Sequence, residues 1–265
     1  MHLKRLIVAA IILPLLYFYI TELSAAYFLF LLITVSAIAQ YEFYSMCNVR
    51  PLLKYSGIIL GMLTISGIYF SKAGLTDSFI ISFIIIACIR LFLIHEPASS
   101  LKDTATTLIA VVYISGLLSY QVFLRANGAS WIIFLYGCVW ASDSFAYYIG
   151  KGIGKRKLYE KMSPNKTIAG AFGSVAGGAA GAVILKTMLL NEMPLDFTKT
   201  ILFGIIIGAV AIIGDLVESM FKRDVGVKDS SGILPGHGGM LDKIDSMLFA
   251  GPALYWCCTI LGLVH

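Results

Sequence analysis

The stretch Phe203–Asp224, "FGIIIGAVAIIGDLVESMFKRD", decides how the chain is read. From Ile201 to Met220 it is long enough to cross a bilayer as one helix, which takes about 20 mostly apolar residues. Yet it carries an acid, Asp215, inside the apolar run, and it ends on the bases Lys222 and Arg223. A carboxylate in hydrocarbon is costly, so it faces protein or a water-filled cavity, where it is paired or functional. Asp215, Ser219 and Lys222 are spaced i, i+4, i+7 and share one helical face. Gly208 and Ala211 precede them on that face and permit close helix approach.

The rest of the 265-residue chain repeats the oily pattern. Hydrophobic residues make up 58% and charged residues 13%, against roughly 25% charged in soluble domains, and the mean hydropathy is +0.86. The fold class is therefore an all-α polytopic membrane protein. About nine transmembrane helices can be placed: Leu6–Ile20, Ser24–Gln40, Tyr55–Phe70, Phe79–Ile94, Thr106–Phe123, Trp131–Ile149, Ala169–Leu190, Ile201–Met220 and Met247–Val264. The opening "MHLKRLIVAAIILPLLYFYI" has a basic start and an apolar core, but further spans follow it, so it reads as a retained first anchor. The chain reads as one integral membrane domain, 1–265, with N-terminal spans over 1–130 and the chemistry-bearing half over 131–265.

Basic residues test this count. Of the 20 Lys and Arg, only Lys72, Arg125 and Lys199 fall in loops on one side, and Arg90 and Lys186 lie within spans. All the others fall on the opposite side, which the positive-inside rule makes cytoplasmic. The net charge of +5 thus reports topology, and nucleic acid is not an expected partner. Cys47, Cys88, Cys138, Cys257 and Cys258 show no metal-knuckle spacing and read as small buried hydrophobes.

Two polar segments fall on the inner side. In "GILPGHGGMLDKIDS" Pro235 and the glycines 236, 238 and 239 preclude a regular helix. Glycine lets backbone N–H groups approach an anion closely. Asp242 and Asp245 then stand i, i+3 at the start of the last helix. Such acids either cap the helix or, beside a basic loop, hold a divalent cation that bridges phosphates. The other segment runs through "WASDSFAYYIGKGIGKRKLYEKMSPNKTIAG". Asp143, Tyr147 and Gly150 share a face there, and a run of bases from Lys151 to Lys166 suits anionic lipid. Ser163 and Thr167 are both placed to cap the following helix, and Lys166 beside that N-terminus favours phosphate. Glu42 and Arg90, lone charges near span ends, read as snorkelling or structural residues.

Taken in order, Ser219, Lys222-Arg223, Lys228-Asp229, Pro235-Gly236-His237-Gly238-Gly239 and Asp242-Lys243-x-Asp245 resemble the signature of the phosphatidate cytidylyltransferases, the CDP-diacylglycerol synthases. The resemblance extends to "GDLVES", "SPNKT" and "WASDSFAYYIG" and covers roughly the C-terminal half. Two positions depart from the pattern: Lys243 stands where the signature has arginine, and Ala169 stands where a glutamate usually precedes the glycine. Lysine keeps the charge but loses the bidentate fork.

This resemblance implies transfer of CMP from CTP to phosphatidic acid, with pyrophosphate leaving, by a Mg²⁺-dependent homodimer in the cell's inner membrane, its polar cavity facing the cytoplasm. A second cation is compatible with it. In that expectation Asp215, Asp242 and Asp245 hold the metal. Lys222, Arg223 and Lys228 hold phosphate oxygens, and the His237, Gly238 and Gly239 loop lines the phosphates. Asp143, Ser163, Lys166, Thr167, Ser219 and Lys243 complete the substrate cavity. Two rivals share some of these features: a CTP-dependent lipid kinase, and an ion-coupled transporter built on Asp215 and the broken helix near Pro235.

Overall fold

The computed structural model describes residues 14–70, 74–188, 193–233 and 238–264. The described helices are α1 (Ala25–Met46), α2 (Pro51–Tyr69), α3 (Leu75–Ile89), α4 (Ser100–Ala110), α5 (Leu117–Ala126), α6 (Ala129–Ile153), α7 (Ile168–Met188), α8 (Phe197–Asp224) and α9 (Leu241–Ile260). Wider π-helical turns, Arg90–Ile94 and Val111–Gly116, extend α3 and join α4 to α5. Seven continuous helices among the described residues are long and apolar enough to cross a membrane. The eighth candidate, α9, begins with Asp242, Lys243 and Asp245, which makes its first two turns polar. Residues 6–13 of the first expected span lie outside those described, and its residues 14–20 are helical.

The small departure from an all-helical chain is a ribbon of β1 (Lys157–Tyr159) and β2 (Ser163–Thr167) between α6 and α7. Here Ser163 pairs with Tyr159 in the antiparallel ladder. It therefore does not cap α7, to which it is not adjacent. That role falls to Thr167, whose Oγ1 accepts the Gly170 N–H at 3.1 Å.

Glycine sets the packing of α6, α7 and α8. Along one side of α7, Gly173 and Gly177 lie against the Phe145 and Ala141 carbonyls of α6; an added Cβ would meet those oxygens at 2.9 and 2.6 Å. On its other side Gly178 meets Gly204 and Gly208 of α8. Lipid offers no hydrophobic drive to press helices together, so close backbone approach and interhelical hydrogen bonds take its place. Ser174 uses that closeness: its hydroxyl donates to the Gly208 carbonyl at 2.8 Å, and its carbonyl accepts from the Ser142 hydroxyl at 2.9 Å. One serine thereby ties three helices.

The N-terminal helices form a buttress behind α8 and α9. Phe43 of α1 and Tyr113 of the second π turn pack edge-on against Phe221, with ring centres 5.8 and 5.3 Å away. Buried Gln40, Ser36, Ser115 and Tyr44 satisfy one another across α1 and the π turn. Large apolar side chains such as Phe30, Leu101 and Phe172 point outward, as lipid-facing positions require.

The α7–α8 contact yields a stability prediction. At Gly208 a Cβ would stand 2.5 Å from the Ser174 backbone oxygen, so Gly208→Val is expected to destabilise the protein by roughly 1–3 kcal/mol through overpacking. Gly152, with nothing within 4 Å of its virtual Cβ, is the control. Melting of the purified protein in detergent should fall for Gly208→Val and stay unchanged for Gly152→Ala.

Candidate active site

A cavity of about 1170 Å³ opens at one end of the bundle, where α6, the ribbon, α8 and the start of α9 converge. The helix α6 contributes Asp143, Tyr147 and Gly150, and β2 contributes Lys166 and Thr167. From α8 come Asp215 and Lys222, from α9 Asp242, Lys243 and Asp245, and from the loop between them Lys228 and Gly238. The residues expected from sequence on two separate segments thus face one space. The end of α8 and the turn of the ribbon also touch directly: Arg223 Nε donates to the Met162 carbonyl at 3.2 Å.

Four expected residues stand apart from the cavity lining. Arg223 spends its guanidinium on the Met162 and Val227 carbonyls, bracing the loops. Ser163 lies in the ribbon. Ser219 is buried behind Asp215, to which its hydroxyl donates at 3.5 Å. Gly239 packs against Ser230 and Glu42, with no room for a Cβ, so its lack of a side chain serves the fold of the loop. Its neighbour Gly238 does line the cavity and adopts φ of 81°, a left-handed conformation that glycine tolerates at no steric cost. His237, Pro235 and Gly236 lie outside the described residues.

Charge in the cavity is arranged in contacts. Lys166 Nζ pairs with Asp215 Oδ2 at 2.6 Å. Lys222 is shared: it pairs with Glu218 one turn earlier and donates to Asp242 Oδ1 at 2.6 Å. Asp242, expected among the metal ligands, also accepts from the backbone N–H groups of Ser230 at 3.1 Å and Gly239 at 2.7 Å. Burial alone would raise its pKa, but Lys222 and the Gly239 N–H outweigh burial and hold the carboxyl down at about 2. Asp242 is therefore an ionised anchor for the loop and for the N-terminus of α9.

A different trio converges. Carboxylate oxygens of Asp215, Glu218 and Asp245 lie within 4.8 Å of one another. Glu218 is fully buried and had not been singled out from sequence. Its signal was present in "GDLVES", where it stands i+3 from Asp215 and i−4 from Lys222, neighbours on one helical surface. Three carboxylates at this separation repel unless a proton or a cation stands among them, and their hard oxygen donors suit Mg²⁺ or Ca²⁺. No sequence signal identified Glu42, which lies 188 positions before the serine it meets.

Fold and cavity together define a polytopic membrane protein whose polar cavity is lined by both carboxylates and lysines. Comparison with known proteins gives the particular family. The chain belongs to the Cytidylyltransferase family, whose sequence profile it matches over residues 3–261. It is 30% identical to a phosphatidate cytidylyltransferase of Bacillus subtilis (strain 168) over 96% of both chains. A Staphylococcus haemolyticus protein of the same name is 33% identical over 95% of both chains. A third, from Synechocystis, is 35% identical over 66% of this chain and 69% of its own.

Lys222 offers the sharpest test of the electrostatics. Replacing it by methionine leaves Glu218 and Asp242 without their shared cation, and losing one partner of a buried ion pair costs about 3–5 kcal/mol. Lys222→Met is therefore expected to lower the melting temperature far more than Arg223→Ala, which frees only two carbonyls. Equal melting of the two variants would refute this charge arrangement.

Proposed function

We propose that this protein synthesises CDP-diacylglycerol, joining CTP and phosphatidic acid with release of pyrophosphate. The observation that carries the reading is the convergence of Asp215 and Asp245 with Lys166, Lys222, Lys228 and Lys243 on one cavity, with the buried Glu218 completing a carboxylate cluster. Membership of the family and the names of its relatives support the same chemistry.

Phosphatidate supplies its own nucleophile, a phosphate oxygen, so the protein needs no covalent intermediate. That oxygen attacks the α-phosphorus of CTP; a P–O bond forms there as the bond to pyrophosphate breaks. The protein's task is to bring two anions together and to neutralise charge as it moves to the leaving group. The four lysines supply positive charge around the cavity. Asp143 and Thr167 offer polar contacts at its α6 and ribbon wall, and the Gly238 turn gives close access to backbone.

Mg²⁺ fits the carboxylate cluster: Asp215, Glu218 and Asp245 would hold it, in place of the set of Asp215, Asp242 and Asp245 expected from sequence. A bound divalent cation would supply charge compensation for the triphosphate. Asp242, already engaged by Lys222, Ser230 and Gly239, keeps the loop in place.

We further assign the cavity to the cytoplasmic side of the inner membrane, with the enzyme acting as a homodimer. Support for the orientation is the run Lys151, Lys155, Arg156, Lys157, Lys161 and Lys166, of which Lys151 and Lys166 line the cavity, as the positive-inside rule requires. A cysteine introduced at Lys161 in a cysteine-free background should react with impermeant maleimide only in inside-out vesicles. A lipid kinase would instead yield CDP, and a transporter would turn over no nucleotide.

Pyrophosphate release by the purified protein should require both CTP and phosphatidic acid. Asp215→Asn, Glu218→Gln and Asp245→Asn should each lower turnover by about 10²–10³-fold, the scale of losing one electrostatic stabiliser in an active site. They should also weaken Mn²⁺ binding followed by electron paramagnetic resonance. Near-full activity in Glu218→Gln would remove Glu218 from the metal set.

A further inference from the structure

The N-terminal half shares none of the signature residues, yet it places one carboxylate among them. Glu42, near the C-terminal end of α1, is 1% exposed. Its Oε1 accepts from the Ser231 hydroxyl at 2.6 Å and the Met240 N–H at 2.9 Å. Its Oε2 accepts the Leu241 N–H at 2.8 Å and lies 3.1 Å from the Ser230 hydroxyl. All four donors belong to the loop between α8 and α9 or to the first residues of α9.

This arrangement is a helix cap delivered from another helix. The first N–H groups of a helix have no partner within it, and Met240 has no side-chain cap of its own. Glu42 takes two of these N–H groups and puts negative charge at the positive end of the helix dipole. Asp242 takes the neighbouring Gly239 N–H. Ser230 stands between the two acids, its hydroxyl 3.0 Å from Asp242 Oδ2 as well as 3.1 Å from Glu42 Oε2. Residues 230–231 in the middle of the loop and residues 240–241 at the start of α9 are therefore pinned to one buried side chain of α1. Gly239 has to be glycine here, since its Cβ would stand 2.6 Å from Glu42 Oε2.

We infer that Glu42 is a positioning residue for the reaction. It holds the loop carrying Ser231, Gly232 and Gly238, and the start of α9 carrying Asp242 and Asp245, in the geometry that receives the nucleotide. The inference rests on the functional reading above, but the clamp itself does not. Glu42 touches none of the lysines of the cavity in this structure and acts through the backbone. The physical consequence is preorganisation. Without the clamp the substrate must order the loop on binding, and that cost appears in apparent affinity as well as in turnover. A purely structural defect would lower the amount of active enzyme and leave KM where it was.

Glu42→Gln keeps the shape of the side chain but turns an –NH₂ toward one of the backbone donors. In the purified full-length protein in lipid nanodiscs, amide exchange at residues 239–241 should accelerate while exchange in α7 stays unchanged. KM for CTP should rise and kcat/KM fall by about 10–100-fold, the usual cost of losing a residue that orients a site's ligands. Ser231→Ala should raise KM in the parent but add nothing in Glu42→Gln, because the two act as one unit. If Glu42→Gln does not fold, the Ser230→Ala, Ser231→Ala double variant carries the test through the same two measurements. Unchanged exchange at 239–241 with unchanged KM, in whichever variant folds, overturns the proposal. A wild-type protein that releases no pyrophosphate from CTP and phosphatidate would instead sink the functional reading, and the exchange measurement would still decide the clamp.

Discussion

The structure depends on how four carboxylates are accommodated side by side inside a helix bundle. Asp215, Glu218, Asp242 and Asp245 lie on two adjacent helices, and charges of one sign in a medium of low dielectric repel steeply. Lys222 resolves part of this by standing between Glu218 and Asp242, and Lys166 resolves another part at Asp215. What remains is a cluster of three carboxylates, of which Asp215 and Asp245 face the cavity and Glu218 is buried beside them. Such pairs are weak evidence for stability, since desolvation offsets most of their attraction. Their placement is better understood as part of a polar site than as a source of stability.

That electrostatic arrangement needs a rigid frame, and glycine provides it. Asp143 on α6, Lys166 on the ribbon before α7 and Asp215 on α8 meet only because these helices pack almost backbone to backbone. Gly173, Gly177 and Gly178 on α7 and Gly204 and Gly208 on α8 remove the side chains that would hold them apart. The Ser142–Ser174–Gly208 hydrogen bonds then fix how the helices slide past one another. The polar site and the small-residue interface are thus two parts of one device. One gathers charge, and the other sets its spacing.

Much of this was legible in the chain itself. Apolar length gave the spans, and the residues of the signature, where described, mostly do meet in one cavity. Three things were not legible, each for a physical reason. Glu218 was hidden because it sits one helical turn from Asp215 in a run read for its single intramembrane acid. That Glu218 rather than Asp242 clusters with Asp215 and Asp245 depends on where side chains point, and spacing alone does not fix a side-chain direction. The ribbon escaped notice because "SPNKT" reads as a turn; only its pairing with Lys157–Tyr159 makes it a strand.

Glu42 shows the limit most clearly. A lone acid at a span end has an ordinary reading as a snorkelling or structural group, and nothing nearby in sequence says which, or what it would hold. Its meaning lies wholly in tertiary structure, because its partners are backbone N–H groups that carry no residue signature. The aromatic contacts of Phe43 and Tyr113 with Phe221 lock α1 and the π turn against α8, which fixes where the Glu42 carboxylate can reach. A half of the chain that resembles the family only as apolar spans therefore still determines the geometry of the site, through packing that aims one carboxylate at the start of one helix.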